Sequence, residues 1–244
     1  MNYQIKIIGD SAVSVQFGEE ISETIHYRIQ AFQAALTAMS LSGLVEMVPT
    51  YCTLMVHYDP EQISYCELCG FVSQAARSVC STSRHTSRTV ELPVLYGGEH
   101  GPDLQFVADY NHLSIEEVVR IHTSGNYLTY MLGFTPGFPY LGGMDDRIAA
   151  PRLKTPRVSI PVGSVGIAGT QTGVYPLATP GGWQLIGRTP VRLYDPDRSE
   201  PTLIRAGDRI RFRDISDDEY RAISEQVEAG TYICPIVSDT EVSL

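Results

Sequence analysis

Between Arg147 and Tyr194 the chain carries no Asp or Glu, although it carries Arg147, Arg152, Lys154, Arg157, Arg188 and Arg192 there. The whole chain of 244 residues has 28 acidic residues and a formal net charge of −10, so this segment departs from its surroundings. Its sequence, "PRLKTPRVSIPVGSVGIAGTQTGVYPLATPGGWQLIGRTP", mixes those cations with Gln, Thr, Gly and the sole Trp. Arginine offers a planar, permanently charged fork for phosphate or carboxylate. Glycine lets backbone N–H groups approach a ligand closely, and Gln and Thr can read an amide. Such a set suits an anionic, amide-bearing small molecule or a phosphate donor. An equally open reading makes the glycines barrel corners, Trp183 core and the arginines solvated.

Other patterns carry less. Cys66 and Cys69 have CxxC spacing, but they fall inside a helical pattern and have no second ligand pair, so they read as core or half-buried thiols. The stretch Gly182-Trp-Gln-Leu-Ile-Gly187-Arg188-Thr189 is close to a phosphate-binding loop. Its interior is strand-like and Pro190 follows, so the nest and the helix that such a loop needs are missing. There is no GxSxG or HExxH, and the six histidines show no ligand spacing, so no metal site is expected. The acidic balance excludes nucleic acid as a partner, since such binding rests on phosphate neutralisation. No window is apolar enough to cross a membrane, and the first twenty residues lack a basic region followed by an apolar one. With five unevenly placed cysteines, the expectation is a cytoplasmic chain rather than a disulfide framework.

The elements that must position these residues divide in two. Residues 1–80 read as a small α/β unit of two strands ("YQIKII", "AVSVQF"), a helix, two more strands ("LVEMVP", "CTLMVHY") and a second helix opened by Asp59-Pro60 and running to about Val79. Ile21, Ile25, Ile29, Phe32, Leu36 and Met39 form one apolar face on the first helix, and Cys52, Leu54, Val56 and Tyr58 alternate along the fourth strand. Two helices over a four-stranded antiparallel sheet result. Residues 81–89 are polar and aperiodic, which reads as a linker. From residue 90 to 244 two short helices are expected near 103–111 and 114–123, the second with a Ser114/Glu117 capping box. Short strands with dense Gly/Pro punctuation then suggest a β-barrel or sandwich. The last helix starts at Ser216, with Glu219 as a second capping box. "GFTPGFPYLGGM", from Gly133 to Met144, reads as a rigid loop leaving the strand "YLTYMLGF" and presenting Phe134, Phe138 and Tyr140.

Taken together, "GFTPGFPYLGGM", "PR…TPR", "IPVGSVGIAG", "QTGVYPLATPGGWQLIGRTP", "LYDP", "GDSAVSVQFG", "VEMVPTYCTLMVHYDP" and "LYGGEHGPDL" resemble the family of 5-oxoprolinase B subunits, also described as the KipI or allophanate-hydrolase-subunit-1 family. The resemblance runs over nearly the whole chain, except the last dozen or so residues. It implies an α+β protein, with a small N-terminal α/β sandwich followed by a C-terminal cyclophilin-like β-barrel. It implies work with a homologous C subunit and an unrelated A subunit to cleave 5-oxo-L-proline to L-glutamate with ATP hydrolysis, ATP carrying Mg. Other roles within the family are inhibition of a sensor histidine kinase and a urea- or allophanate-directed amidase component. Activating a stable lactam carbonyl by phosphorylation needs cations around the phosphoryl group and donors on the developing oxyanion. On that footing Arg152, Arg157 and Arg188 are the expected anion contacts, Gln171 and Thr179 the polar readers, and Gly181, Gly182 and Trp183 the shaping loop. His122 is the candidate general acid/base, a capping histidine being its alternative reading. Phe134, Phe138 and Tyr140 are expected to form a partner interface or site wall. The chain is expected to supply part of a shared site and to be inactive alone.

Overall fold

A computed structural model describes residues 2–79 and 85–242. These fall into two compact units, one holding the described residues up to Thr86 together with 240–242, the other holding Ser87–Asp239. The expected linker is replaced at 85–89 by strand, since β5 begins at His85; residues 80–84 lie outside the described residues. The grouping of 240–242 with the first unit also departs from a second domain running to the C-terminus.

In the first unit, β1 (Gln4–Ile8), β2 (Ala12–Gln16), β3 (Leu44–Pro49) and β4 (Thr53–Tyr58) form an antiparallel sheet in the order β1-β2-β4-β3. The register pairs Val13 with Val56 and Val15 with Leu54, so one pleat face is aliphatic. Helices α1 (Glu23–Ala38) and α2 (Tyr65–Ser78) bury that face. Ile29, Phe32 and Leu36 from α1 and Leu68 and Val72 from α2 join the four sheet residues in one core. Each such fully buried side chain contributes roughly 1.5–3 kcal/mol, and Phe32→Ala would open the largest gap. Ile21 of the expected apolar stripe lies before the helix and is exposed.

Helix α2 does not begin at Asp59-Pro60. The Asp59 carboxylate accepts the Glu61 N–H at 3.0 Å and the Gln62 side-chain amide at 2.7 Å, closing a local turn. The helix starts after Ser64, whose hydroxyl accepts the Glu67 N–H while Glu67 accepts the Ser64 N–H. That capping box satisfies two end groups that Asp59 cannot reach.

The second unit contains most of β5 (His85–Tyr96), then α3 (Leu104–Tyr110), α4 (Ile115–Ser124), β6 (Tyr127–Leu132), β7 (Pro139–Gly142), β8 (Arg157–Ile160), β9 (Ser164–Ala168), β10 (Gln171–Val174), β11 (Thr179–Gly181), β12 (Gln184–Arg188), β13 (Arg209–Asp214), α5 (Asp217–Glu228) and the first part of β14 (Ile236–Val242). Its main sheet runs β10-β9-β12-β5-β13-β6-β7, with β14 on β5, and the outer strands β7 and β10 meet so that the sheet nearly closes into a barrel. β8 and β11 make a separate two-stranded ribbon. This is the expected α+β architecture with a barrel. The pairing of β13 with β5 is parallel, which its short-strand pattern does not announce. Val90, Leu92 and Val94 of β5 alternate inward against Ile210 and Phe212 of β13, with Val118 and Ile121 of α4 packed on the same core.

Helices α4 and α5 both start at a serine, with one difference. Ser114 and Glu117 make the full reciprocal box. Ser216 accepts the Glu219 N–H, but the Glu219 carboxylate is taken by Arg213 at 2.8 Å. The run "VRLYD" forms no strand beyond a single bridge between Tyr194 and Thr202. Within "GFTPGFPYLGGM", the second half is strand β7 rather than loop. Among the described residues, no helix is long and apolar enough to cross a membrane.

Candidate functional site

The acid-free segment folds around an aromatic cluster. Phe138, Tyr175 and Trp183 meet edge to face, with Phe138 centred 5.7 Å from Trp183 and 5.5 Å from Tyr175. Ile160, Ala168 and Leu185 complete the cluster, and Tyr140 packs against it half-buried. Phe138 and Trp183 are 2% and 7% exposed. Phe138 is therefore core rather than a presented contact. The reason is β7: pairing with β6 draws the chain inward from Phe138 onward, and the loop that projects is only the part before it. Phe134 is the aromatic that projects, 67% exposed and held at a φ of 62°, a left-handed conformation that costs a non-glycine residue about 1 kcal/mol or more.

Against this cluster lies the loop 150–156. The Leu153 N–H donates to the Gly182 carbonyl at 2.7 Å, and the Gln184 side-chain amide donates to the Pro151 carbonyl at 2.8 Å. These bonds hold the loop's backbone and leave Arg152 and Lys154 exposed. Arg152 sits 5.9 Å over the Trp183 ring, the geometry of a cation–π contact. No carboxylate pairs with Arg152 or Lys154 among the described residues. Gly181 is required here: a Cβ would fall 2.5 Å from Ile160 Cδ1 and 2.7 Å from the Tyr175 hydroxyl oxygen. Gly182 is half-buried in the same turn. Burial pushes the Tyr175 hydroxyl up to about 12, a rise that the nearby Arg152 and Arg157 charges oppose.

Arg157 has a different surrounding. One of its nitrogens donates to both Asp103 oxygens at 2.8 Å, and another to the Trp183 carbonyl at 3.2 Å. Asp103 also accepts the Leu185 N–H at 2.6 Å. The Arg157 charge is thus spent on tying the β8 ribbon to β12, which corrects its expected role as an anion contact. Arg188 ends β12, away from Trp183, and donates from Nε to the Val162 carbonyl at 2.7 Å. Thr179 opens β11, and its hydroxyl is buried with no hydrogen-bond partner among the described residues. Gln171 lies half-buried at the start of β10, opposite Ala168. The structure therefore brings together Arg152, Arg157, Gly181, Gly182, Trp183, Phe138 and Tyr140, with the exposed Phe134 ring edge to face on Phe138 at 5.7 Å, and leaves Gln171 and Arg188 further out.

His122 stands apart from all of these, in the core of the second unit. Its ring stacks on Phe212 with centroids 4.5 Å apart. Thr172 donates its hydroxyl hydrogen to the Gly166 carbonyl, so it accepts from His122 Nε2 at 2.8 Å. Nδ1 is then the acceptor for the Tyr96 hydroxyl at 2.7 Å. Burial lowers the imidazole to about 3, so it is neutral at ordinary pH. A ring with no exposure and both nitrogens committed has no proton to exchange with a substrate. The expectation of a general acid/base at His122 is corrected to a structural link between α4, β5 and β10. Its position in the last turn of α4 is as the capping alternative has it, but its partners are side chains rather than helix carbonyls.

The sequence reading gives no site role to three residues found here: Lys154, Tyr175 and Asp103. Lys154 and Tyr175 lie in the acid-free segment itself and are identifiable by position. Asp103 is 54 residues from Arg157, and only the fold relates them. Among the described residues no group of three His, Cys, Asp or Glu side chains could hold a metal ion.

Comparison with known proteins gives this geometry its family. The carboxyltransferase domain, subdomain C and D, matches residues 3–204. The B subunit of 5-oxoprolinase from Bacillus subtilis is 49% identical over 236 residues, covering 93% of this chain and 98% of its own. The protein of the same name from Escherichia coli is 42% identical over 209 residues, 84% of this chain and 93% of its own. A conserved uncharacterized protein from Pyrococcus horikoshii superposes with a TM-score of 0.53 at 46% identity, over 89% of this chain and all of that one. The urea amidolyase of K. lactis contains the same fold, with a TM-score of 0.81 over 99% of this chain and 16% of that one, at 21% identity. Matched over nearly its full length at up to 49% identity, the chain belongs to the family of 5-oxoprolinase B subunits, built on the fold of carboxyltransferase subdomains C and D.

Proposed function

We propose that this chain is the B component of an ATP-dependent 5-oxoprolinase, which opens 5-oxo-L-proline to L-glutamate together with A and C subunits. The observation that carries the reading is the near-full-length identity with two proteins named as B subunits of 5-oxoprolinase. The site fits a contribution to a shared centre. Arg152 and Lys154 form an open, cationic face on a fixed loop, and an anion there would gain charge-assisted bonds without breaking an existing ion pair. Trp183 and Tyr175 supply an apolar wall that excludes water from one side.

The fit is to an anionic group rather than to a whole nucleotide. Arg157 is occupied by Asp103, and no glycine nest leads into a helix within the segment. ATP supplies the phosphoryl group that activates the lactam; this chain's part is to bind negative charge at Arg152 and Lys154 and to hold the aromatic wall. The rest of the centre belongs to the partner subunits. Mixing the purified chain with its A and C subunits is the test. Phosphate release that depends on both 5-oxoproline and all three chains supports the reading. Full activity from this chain alone, or none from the complete mixture, overturns it.

A further inference from the structure

A cavity of about 680 Å³ lies on the second unit, lined by α3, α4 and the end of β13. No residue of the site described above lines it. Its inner wall is apolar: Leu104 from α3, and Ile115 and Val119 on one face of α4. Its rim carries charges of both signs, Arg120 and Glu116 from α4 and Asp214 from β13.

Two of these charges lack a counter-ion among the described residues. Asp214 has no cation paired with it, because its neighbour Arg213 turns to Glu91 at 3.0 Å and Glu219 at 2.8 Å. Partial loss of water raises the Asp214 carboxyl above its ordinary value. Arg120 likewise has no carboxylate paired with it among the described residues. Glu116, one turn earlier on the same helix, is engaged instead with Ser114 and its own backbone, which hold its carboxyl below the usual range. A guanidinium and a carboxylate without counter-ions among the described residues therefore line one cavity together with apolar Leu104, Ile115 and Val119. The volume lies within the range of small-molecule sites.

We infer that this cavity binds a small zwitterion of amino-acid size, its carboxylate on Arg120, its ammonium on Asp214 and its apolar side chain on Leu104, Ile115 and Val119. The arginine fork matches a carboxylate bidentately. A phosphate-rich ligand is disfavoured, since the rim holds two carboxylates for one cation. The floor selects branched or aromatic side chains over polar ones.

The test uses the full chain alone, so its outcome is independent of any activity with partner subunits. Calorimetric titration with L-leucine should give saturable heat in the millimolar range. N-acetyl-L-leucine, which lacks the ammonium, and L-leucinamide, which lacks the carboxylate, should each bind about tenfold more weakly or not at all. R120Q and D214N, both exposed and outside any ion pair among the described residues, should each weaken L-leucine by about tenfold while leaving the melting temperature unchanged. No saturable heat with L-leucine overturns the inference, as does binding undiminished in both variants. Equal binding of L-leucinamide and L-leucine also overturns it, because that marks a site for cations only.

Discussion

The loop 150–156 and strand β8, which follows it directly, treat positive charge in opposite ways. Arg157 on β8 is enclosed by Asp103 and the Trp183 carbonyl and serves as a fastener. Arg152 on the loop sits 5.9 Å over an indole and pairs with no carboxylate among the described residues. Arg147 and Arg192 are also fastened, to Asp145 and Asp195, carboxylates just beyond the two ends of the acid-free segment. A segment without acids is therefore not a segment of unpaired cations. Where the fold brings a carboxylate from elsewhere, the cation is structural; where it brings an aromatic face, the cation remains available.

The largest effect should come from removing a fastener. Asp103→Ala leaves Arg157 without its counter-ion and the Leu185 N–H without its acceptor, and should cost about 3 kcal/mol in urea unfolding. A loss under about 1 kcal/mol would mean Arg157 is as available as Arg152. Next is the open side. Arg152→Ala should lower 5-oxoproline-dependent phosphate release in the reconstituted enzyme by about a hundredfold. Its stability should change by less than about 1 kcal/mol, the worth of an exposed cation–π contact. Equal damage to stability and activity would erase the distinction.

The third measurement concerns His122, the most completely fastened polar group. Its folded value of about 3 lies below the ordinary 6.5, so the unfolded chain binds a proton that the native chain does not. The stability it leaves intact above pH 6.5 is lost as pH falls from there toward 3, by about 1.36 kcal/mol per pH unit for one proton. Denaturant melts of His122→Gln across that range should show a slope shallower by one proton. Unchanged slopes would mean the ring is charged in the folded state. The smallest effect is at Phe134, exposed in a left-handed conformation. Phe134→Gly should raise stability by about 0.5 kcal/mol in thermal melts. A clear loss would mean that the edge-to-face contact with Phe138 outweighs the backbone strain.

Much of this fold is readable along the chain, because the signals are local. The Ser114/Glu117 box, the Ile29–Phe32–Leu36 spacing and the Leu54–Val56–Tyr58 alternation each lie within a few residues of what they determine. Asp59-Pro60 misleads because aspartate can close a turn as readily as it caps a helix. The parallel β5–β13 pairing joins Val90 to Ile210, and the Asp103–Arg157 pair spans α3 to β8; no local rule reaches so far. At the candidate site the residue types are legible, but their availability is not. Arg152 and Arg157 look alike in sequence, and only their neighbours in space leave one without a counter-ion among the described residues and tie the other into the architecture. Phe134 and Phe138 divide in the same way, because β7 begins directly after Phe138 and leaves Phe134 in the loop.

The indole beneath Arg152 has one further consequence. Trp183 is the chain's sole tryptophan, so excitation of indole in this protein interrogates a single place. Its ring lies edge to face with Phe138 and Tyr175 and has Arg152 5.9 Å over it, surroundings that would shift if an anion drew Arg152 away. The molecule thus carries its own optical reporter at the point where a ligand would arrive. Emission can follow occupancy there in the native chain, with no label attached and no partner protein present.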